Sequence, residues 1–538
     1  MNHRTVGEGL RLAVQANPQG DAIIIGGQRL SFSQLQARAA KVAGGLRGLG
    51  IRPGDHVGIL MPNNLEYLLL FHACALLGAA AVHFNSRYRS EELRYVIQDS
   101  GIKRLFTSAM QREFADYEAM LGQLYPELAG WDGRRRLALA EAPRLEAIHL
   151  LHAPQGHAWP GWEALMGEEP LAEGDCCSDP ERIALIMYTS GTTAQPKACL
   201  LSHRSLEFCG RGLAERWQMG PADRFWDPLP FFHMSTILPL AACRASAAAF
   251  IGQEHFDAGA SVQEIEAERA TILFPSFPTL TNALFTHPDF SAAKFSSVRI
   301  VNNVGPADLL RRFADALPAA AHVSAYGLTE AGGVIAFNHP DDTLEQRTTT
   351  SGQVFDGVEV KVVDPETLEA MPDGETGEIL IRGPSMFSGY LNAPEKTAEV
   401  TAPGGWLRSG DLGALVDGGR IRYVGRLKDM LKVGGENVAA IEIEGQLCQH
   451  QAIRMAQVVS APDDRLVEVP AAFIELEPGA SLEREAVIEF LRGRIASFKI
   501  PRYVAFITEW PMSATKIQKF KLRSMIDPAD RVEVQRRP

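Results

Sequence analysis

The chain has 538 residues, of which 46% are hydrophobic and 22% charged, and this length exceeds what one hydrophobic core usually organises. We therefore expect about two to four domains with the composition of a globular enzyme. The net charge of −12 argues against nucleic acid as the main partner, because an acidic protein repels a polyanion.

Cysteine usage and the amino terminus indicate the cellular setting. The seven cysteines are odd in number and mostly scattered, which matches neither a disulfide framework nor a zinc site. The first residues lack the apolar core of a signal peptide. We therefore predict a cytoplasmic protein.

The longest apolar run covers residues 68–84 and is interrupted by His72 and His83. It is short for a membrane span, so we predict a buried helix within an α/β layer and no membrane span. Peripheral contact with a bilayer is the alternative interpretation.

Short β-branched runs alternate with helical patterns from the amino terminus to about residue 350. Strands separated by amphipathic helices indicate βαβ units, so we predict parallel sheets in α/β layers. The predicted helices include 32–50 and 309–317. The predicted strands are 22–25, 56–60, 183–188, 271–274, 298–301 and 323–326.

The sequence pattern changes near residue 351. From there, segments with the alternating pattern of β-strands are joined by Asp-Gly and Pro-Glu turns. This pattern predicts a mainly antiparallel, barrel-like piece over about 351–424. Helical patterns at 441–450 and 483–496 then indicate a small α+β domain. We predict an N-terminal domain over 1–426 and a C-terminal lid domain over 427–538. No Gly/Ser-rich linker separates them, so we expect a tight hinge.

The segment 189–197, TSGTTAQPK, directly follows a predicted strand. A loop of small residues brings backbone N–H groups and hydroxyls close to an anion, and Lys197 adds a positive charge. The pattern therefore predicts a phosphate site, with a solvated Ser/Thr turn as the alternative. The chain contains neither GxxxxGK[ST] nor a strand–GxGxxG–helix unit, so a P-loop and a dinucleotide fingerprint are excluded.

Further motifs follow in order: YGLTE at 326–330, SGDL at 409–412, GRLKD at 425–429, GGEN with EIE at 434–444, and PMSATKIQK at 511–519. Taken singly, each is commonly a turn, a helix cap or a basic surface patch. Together with the 189–197 loop they resemble the signatures of the AMP-forming adenylating enzymes, which include acyl-CoA synthetases, adenylation domains and luciferases. The resemblance runs from about residue 21 to residue 523 and implies the α/β fold of that family with a mobile C-terminal domain.

The resemblance implies an ATP site with Mg²⁺. In the family the YGxTE tyrosine lies against adenine, the threonine contacts phosphate and the glutamate helps to hold Mg²⁺, which assigns Tyr326, Thr329 and Glu330. Asp411 would accept the ribose hydroxyls, and Arg426 would contact ribose or phosphate. The other predicted nucleotide-binding residues are Thr189, Ser190, Gly191, Thr192, Thr193, Lys197, Gly305, Pro306 and Gly327.

Two alanines depart from the family pattern. Ala194 and Ala198 stand where the family usually has glycine. If the first position needs positive φ, alanine costs about 1 kcal/mol. We expect this change to affect the rate rather than the identity of the reaction.

The resemblance places the catalytic lysine before the Ile-Gln pair, at Lys516, although the usual preceding glycine is missing and Lys519 is the alternative. Lys428 takes the hinge position. Lys432, Gly434 and Gly435 are predicted to face CoA, with a surface charge on a strand as the alternative for Lys432.

Three segments correspond to the family's acyl pocket: 231–236, 274–279 and 302–306. The first two are aromatic and aliphatic, which predicts an apolar acyl chain or ring. Relatives that adenylate amino acids place an aspartate near the position of His233, where it pairs with the substrate ammonium. This chain has no aspartate there, so the resemblance disfavours an amino acid as the substrate. His233 would gate the thiol tunnel or touch the acyl group, with a core histidine as the alternative. The predicted pocket residues are Phe232, His233, Met234, Phe277, Asn303 and Gly332.

The sequence thus predicts a carboxylic acid–CoA ligase that forms acyl-AMP from ATP and then acyl-CoA. His233, Thr329, Glu330 and Lys516 are the predicted catalytic residues. The alternatives are a ligase that loads a separate carrier protein, a luciferase-like oxygenase, and a non-catalytic acyl-nucleotide-binding protein. The expected partners are the acid, ATP and coenzyme A, and a homodimer stays open.

Overall fold

The computed structural model describes residues 4–110, 115–189, 195–433, 436–463, 465–513 and 516–532. Its helices are α1 Val6–Ala16, α2 Phe32–Gly48, α3 Leu65–Leu77, α4 Ser90–Ser100, α5 Tyr117–Leu124, α6 His203–Arg216, α7 Met234–Ser246, α8 Ala258–Ala267, α9 Pro278–Phe285, α10 Ala307–Ala316, α11 Leu344–Thr349, α12 Pro394–Glu399, α13 Ala440–Leu447, α14 Arg484–Leu491 and α15 Lys519–Ser524. Its strands are β1 Asp21–Ile25, β2 Gln28–Ser31, β3 His56–Leu60, β4 Ala80–His83, β5 Arg104–Ser108, β6 Ala147–Leu151, β7 Ile183–Thr189, β8 Lys197–Ser202, β9 Arg224–Asp227, β10 Ala249–Gly252, β11 Ile272–Ser276, β12 Ile300–Asn303, β13 Ala321–Val323, β14 Ala325–Leu328, β15 Gly333–Phe337, β16 Gln353–Val354, β17 Glu359–Val363, β18 Gly377–Arg382, β19 Thr401–Ala402, β20 Trp406–Val416, β21 Arg420–Arg426, β22 Leu431–Val433, β23 Glu436–Val438, β24 Ile453–Asp463, β25 Val467–Leu476, β26 Tyr503–Phe506, β27 Met512–Ser513 and β28 Lys516–Ile517.

Two parallel sheets form the first part of the fold. One has the strand order β13-β12-β11-β9-β10-β1-β2 and the other β6-β5-β3-β4-β7-β8. Every pairing is parallel except that of β2 with β1 and that of β8 with β7. Because parallel neighbours need crossover connections, helices fill the spaces between successive strands. The predicted α/β layers are confirmed.

Helices join the two sheets in one core. Helix α2 packs against α3, and α6 packs against α7. Their buried side chains belong to the same hydrophobic cluster as residues of both sheets. In α3, all residues except Glu66 are buried, so this helix exposes almost no side chain to solvent. A helix that is apolar on every face is typical of such an interior layer.

Two predicted elements are wrong in their extent. The predicted helix 68–84 is α3 followed by β4, because Gly78 adopts a left-handed conformation that ends the helix. The predicted strand 323–326 is divided between β13 and β14, which belong to different sheets. A short apolar run does not show by its periodicity where a helix gives way to a strand, or where one sheet gives way to another.

Other boundaries differ by a few residues. The predicted strand 298–301 is β12 at Ile300–Asn303, and the predicted helix 32–50 ends at Gly48. The predicted helices 441–450 and 483–496 end at Leu447 and Leu491. A hydrophobic pattern locates an element but does not fix its terminal residues to within one or two positions.

The piece over about 351–424 is antiparallel, as predicted. Strands β17, β18, β20 and β21 pair in antiparallel fashion, with β19 at one edge. The C-terminal sheet is built on the long antiparallel pair of β24 and β25 and carries α13 and α14. Within the described ranges, no helix is long and apolar enough to cross a membrane.

Candidate active site

The site motifs lie where strands end. Strand β7 ends at Thr189, and β8 begins at Lys197, so these two strands flank the 189–197 loop. Thr189 and Lys197 face each other in register. Strand β14 ends at Leu328, and a short 3₁₀ helix at Thr329–Ala331 follows it. Ligands commonly bind outside the ends of strands in α/β folds, because loops and polar side chains converge there.

Tyr326, Asp411 and Arg426 meet in one cluster. The Tyr326 hydroxyl donates to Asp411 Oδ2 at 3.0 Å. Arg426 Nε lies 3.2 Å from Asp411 Oδ1, and the Asp411 side chain is only 4% exposed. Antiparallel pairing of β20 with β21 sets Asp411 opposite Arg426. An ionised carboxylate has about four lone-pair sites, so Asp411 keeps capacity to accept further hydroxyls.

Glu330 and Lys197 meet at a second cluster. The Tyr390 hydroxyl donates to Glu330 Oε1 at 2.7 Å. The Lys197 ammonium lies over the Tyr390 ring, 5.1 Å from its centre, which is a cation–π contact. The buried Cys199 thiol lies beside Glu330, and burial raises the pKa of this thiol. The Glu330 carboxylate, the Tyr390 phenol and the Lys197 ammonium thus lie together where the 189–197 loop joins β8.

This donor set fits a magnesium ion that is held mainly by phosphates. Within the ranges given above, no group of three or more His, Cys, Asp or Glu side chains is placed to hold a metal. Mg²⁺ is usually bound through one or two protein carboxylates together with substrate phosphates and water. Glu330 supplies one such carboxylate next to the predicted phosphate loop.

Glycines allow the turn after β14 to fold tightly. A Cβ at Gly327 would lie 2.1 Å from the Gly333 carbonyl oxygen. Gly332 has a φ of +80°, and a Cβ there would lie 2.5 Å from the Ser385 carbonyl oxygen. A side chain at either position would displace backbone. The predicted residues Gly327 and Gly332 therefore shape the 3₁₀ turn that carries Thr329 and Glu330.

Two of the three predicted acyl-pocket segments meet at the ends of β11 and β12. The Ser276 hydroxyl donates to Asn302 Oδ1 at 2.9 Å, and the Thr281 hydroxyl donates to the side chain of Asn303, which is 1% exposed. Phe277 is half-buried and caps α9. A Cβ at Gly305 would lie 3.0 Å from Pro278 Cγ, so the Gly305–Pro306 turn reaches the same region.

The third segment approaches the turn after β14. Phe232 and Met234 are buried, and the half-buried His233 ring lies 4.5 Å from the Phe232 ring, centre to centre. A Cβ at Gly333 would lie 3.1 Å from Met234 Cε. Gly333 therefore borders this region together with the predicted Gly332, although no sequence signal distinguished it.

The nearest upstream carboxyl group does not face the pocket as a free charge. Asp227 at the end of β9 is fully buried, and its Oδ1 accepts from the Leu229 N–H at 2.8 Å. Burial raises the pKa of Asp227. Asp227 is thus buried and bonded to its own chain rather than open to a substrate ammonium, which agrees with the expectation that an amino acid is disfavoured.

Several predicted residues lie outside the described ranges. These are Ser190, Gly191, Thr192, Thr193, Ala194, Gly434 and Gly435. Lys516 pairs through its backbone with Ser513 in the β27–β28 hairpin, and its side chain is outside the description. Its catalytic role stays a prediction.

The other C-terminal lysines are described. Lys519 Nζ donates to Glu444 Oε1 at 2.6 Å, which ties it to the C-terminal domain. Lys428 is exposed in a 3₁₀ turn, Leu427–Asp429. Lys432 is also exposed, and its backbone N–H donates to Glu468 Oε2 at 2.8 Å. The hinge role of Lys428 and the CoA role of Lys432 stay predictions.

Sequence reasoning missed Tyr390 and Cys199. Both lie on adjacent backbone segments joined by an antiparallel bridge. Tyr390 lies sixty residues from Glu330 in the sequence, so the residues around it do not predict their hydrogen bond. Only the flanking Gly389 and the Pro394 turn in SGYLNAPEK mark an irregular segment there.

Comparison with known proteins identifies the family. The family model of AMP-binding enzymes matches residues 10–391, and that of the AMP-binding enzyme C-terminal domain matches residues 442–516. The chain is 32% identical over 553 residues to the mitochondrial medium-chain acyl-CoA ligase ACSF2 of Rattus norvegicus, with 98% of this chain and 88% of that protein covered.

Solved structures agree with these matches. The anthranilate CoA ligase AuaEII in complex with anthranoyl-AMP superposes with a TM-score of 0.85 at 27% identity, covering 97% of both chains. ATP-bound MatB from Rhodopseudomonas palustris superposes with a TM-score of 0.84 at 26% identity, covering 96% of this chain and 98% of that one. The chain therefore belongs to the AMP-binding enzyme family, the AMP-forming adenylating enzymes that include the acyl-CoA synthetases.

Proposed function

We propose that this chain is a carboxylic acid–CoA ligase that acts on an apolar acid. In the first step a carboxylate oxygen attacks the α-phosphorus of ATP, which gives acyl-AMP and releases pyrophosphate. In the second step the CoA thiol attacks the acyl carbon, which gives acyl-CoA and releases AMP and a proton. The convergence of Tyr326, Asp411 and Arg426 with the nearby pair of Glu330 and Lys197 is the observation that carries this proposal.

Each polar residue has a proposed task in the first step. Asp411 accepts from the ribose hydroxyls, and Arg426 binds ribose or phosphate beside it. Lys197, with the hydroxyls and backbone of the loop, stabilises the leaving pyrophosphate. Lys516 bridges the acid and the α-phosphate, which aligns the attack. When bound through Glu330, Mg²⁺ supplies neutralisation of the phosphate charge.

The second step needs a thiol to reach the acyl carbon. We propose that the C-terminal domain, 427–538, turns about Lys428 and withdraws Lys516. The exposed position of Lys428 supports this role, because a hydrated side chain can change its surroundings at low cost. Lys432, Gly434 and Gly435 would then face CoA. The names of ACSF2 and AuaEII as CoA ligases support CoA as the acceptor.

The pocket supports an apolar acid. Phe232, Met234 and Phe277 supply an aromatic and aliphatic surface, and the buried Asp227, bonded to the Leu229 N–H, offers no partner to an ammonium group. A medium-chain acid and an aryl acid are both represented in the names of the relatives. The cytoplasmic location, a part in fatty acid metabolism and a homodimer stay predictions.

The test is pyrophosphate release with hydroxylamine as a trap, over fatty, alicyclic and aryl acids, with and without CoA. We expect turnover on one class of acid, and with CoA present the product is the thioester. Adenylation that CoA does not consume would favour a carrier-protein acceptor, and oxygen uptake or light would favour a luciferase-like oxygenase. Failure of every acid to release pyrophosphate would favour a non-catalytic acyl-nucleotide-binding protein.

A further inference from the structure

A short segment, Phe387–Leu391, links the two halves of the predicted triphosphate site. On one side it lies along β8: the Leu391 N–H donates to the Ala198 carbonyl oxygen at 2.9 Å, and the Leu200 N–H donates to the Gly389 carbonyl oxygen at 3.0 Å. On the other side the Phe387 N–H donates to the Glu330 carbonyl oxygen at 2.9 Å. The segment is therefore fixed to the strand that follows the loop and to the turn that carries Glu330.

Tyr390 stands at the centre of this link. Its side chain is buried, with 7% of the residue exposed. The hydroxyl donates to Glu330 Oε1 at 2.7 Å, and the ring lies 5.1 Å from the Lys197 ammonium. The Tyr390 side chain thus binds the Glu330 carboxylate through its hydroxyl and the Lys197 ammonium through the face of its ring.

This arrangement fixes two groups that would otherwise be mobile. A charge-assisted hydrogen bond from the phenol selects one orientation of the carboxylate, which the Cys199 thiol also contacts. The cation–π contact restricts the flexible lysine side chain near the loop. Groups held in this way bind a ligand with a smaller loss of conformational freedom.

We infer that Tyr390 is a positioning residue for the nucleotide, orienting Glu330 toward the metal through its hydroxyl and Lys197 toward phosphate through its ring. The inference rests on the proposed function, since it needs Glu330 and Lys197 to serve ATP. The two contacts belong to different parts of the side chain, so substitution separates them.

The test is calorimetric titration with ATP, without acid or CoA, in MgCl₂ and in EDTA. Tyr390→Phe removes the hydroxyl and keeps the ring, so ATP affinity should fall about tenfold with Mg²⁺ and stay unchanged in EDTA. Tyr390→Leu removes both contacts, so affinity should fall under both conditions. A purely structural role would lower both affinities together in Tyr390→Phe.

Tyr188→Phe is the matched control. The Tyr188 hydroxyl donates to Asp99 Oδ2 at 2.7 Å, and Tyr188 precedes the loop directly on β7. This variant removes the same kind of bond at the same length, and both ATP affinities should stay unchanged. Equal Mg²⁺-specific losses in Tyr188→Phe and Tyr390→Phe, or no loss in Tyr390→Phe, would overturn the inference. If the unsubstituted protein bound no ATP, the proposed function would fail first, and the positioning role with it.

Discussion

Two carboxylates before the boundary near residue 426 and one carboxylate just after it are held in different ways. On the N-terminal side, Asp411 and Glu330 accept hydrogen bonds from the phenols of Tyr326 and Tyr390, both of which are buried. On the C-terminal side, Arg523 lies 3.7 Å from Asp429, with side chains 41% and 28% exposed.

One contact between the two sides is polar and exposed. Gln449 Nε2 donates to Asp308 Oδ2 at 2.6 Å in an exposed hydrogen bond. A Cβ at Gly445 would lie 3.9 Å from Pro306 Cβ, which is ordinary contact. Exposed pairs contribute about 0–1 kcal/mol each, so they exchange partners at little cost. A buried phenol–carboxylate bond does not, which favours a fixed nucleotide site beside a movable C-terminal domain.

The largest expected effect separates two neighbouring lysines of the C-terminal domain. Lys516→Ala should slow acyl-AMP formation about 10³-fold, because in the proposed mechanism it removes a charge that stabilises the transition state. Thioester formation from preformed acyl-AMP and CoA should be nearly unchanged. Single-turnover assays of each half-reaction measure both effects.

Lys519→Ala is the comparison for that variant. Lys519 is held by Glu444 within the C-terminal domain, so its loss should lower the free energy of unfolding by about 1–3 kcal/mol and leave adenylation largely intact. A greater loss of adenylation in Lys519→Ala than in Lys516→Ala would move the catalytic role to Lys519.

A second pair of variants compares the buried and the exposed carboxylate. Asp411→Asn should raise the KM for ATP roughly 30-fold, because the amide accepts less strongly and leaves Arg426 without its counter-ion. Asp429→Asn, which weakens the exposed pair with Arg523, should change that KM by less than about twofold. Equal effects of the two variants would contradict a fixed site beside a movable domain.

The sequence predicted site residues correctly where they belong to short contiguous motifs. Tyr326, Asp411 and Arg426 were predicted from three short motifs that resemble a family, and the fold brings them within hydrogen-bond distance. The parallel sheets were predicted because each strand is a short apolar run between amphipathic helices.

The sequence was uninformative where contacts are made by tertiary packing. The bonds of Tyr390 to Glu330 and of Tyr188 to Asp99 join residues 60 and 89 positions apart. The end of α3 at Gly78 was missed because the apolar character continues into β4. The two hydrogen bonds depend on tertiary partners, whereas the helix end depends on Gly78, a local signal that the continuing apolar run obscured.

A third substitution tests the acyl side of the fixed region. Met234→Ala should remove bulk next to Gly333, and the preference in kcat/KM should move about tenfold toward larger acids. Competition between pairs of acids of different length measures this shift. Met166→Ala, which trims a half-buried methionine packed against the core after residues 162–165, should leave the preference unchanged. An unchanged order of acids in Met234→Ala would remove Met234 from the pocket.

The smallest expected effect is on stability and concerns the buried histidines, which among the described residues all lie on the N-terminal side. Burial lowers the pKa of His149 to about 3, and the same cause lowers the pKa values of His72 and His83 to about 3 and of His203 and His322 to about 4. Below about pH 6.5 these histidines bind protons in the unfolded chain, whereas in the folded chain they stay unprotonated until the pH approaches 4. The stability that depends on these histidines is therefore nearly complete above about pH 7.5 and declines as the pH falls toward 4, by about 0.7 kcal/mol for each histidine between pH 7 and pH 6.

His149→Phe isolates one share of this acid sensitivity. The His149 ring stacks on Phe106 at 4.5 Å, and its two nitrogens have no hydrogen-bond partner among the described residues. Phenylalanine keeps a stacked ring and has no proton to bind, so unfolding free energy should depend less steeply on pH between 7 and 5. Urea titrations at several pH values measure the slope. An unchanged slope would mean that His149 does not contribute, and the acid sensitivity would then belong to the other buried histidines of the same region.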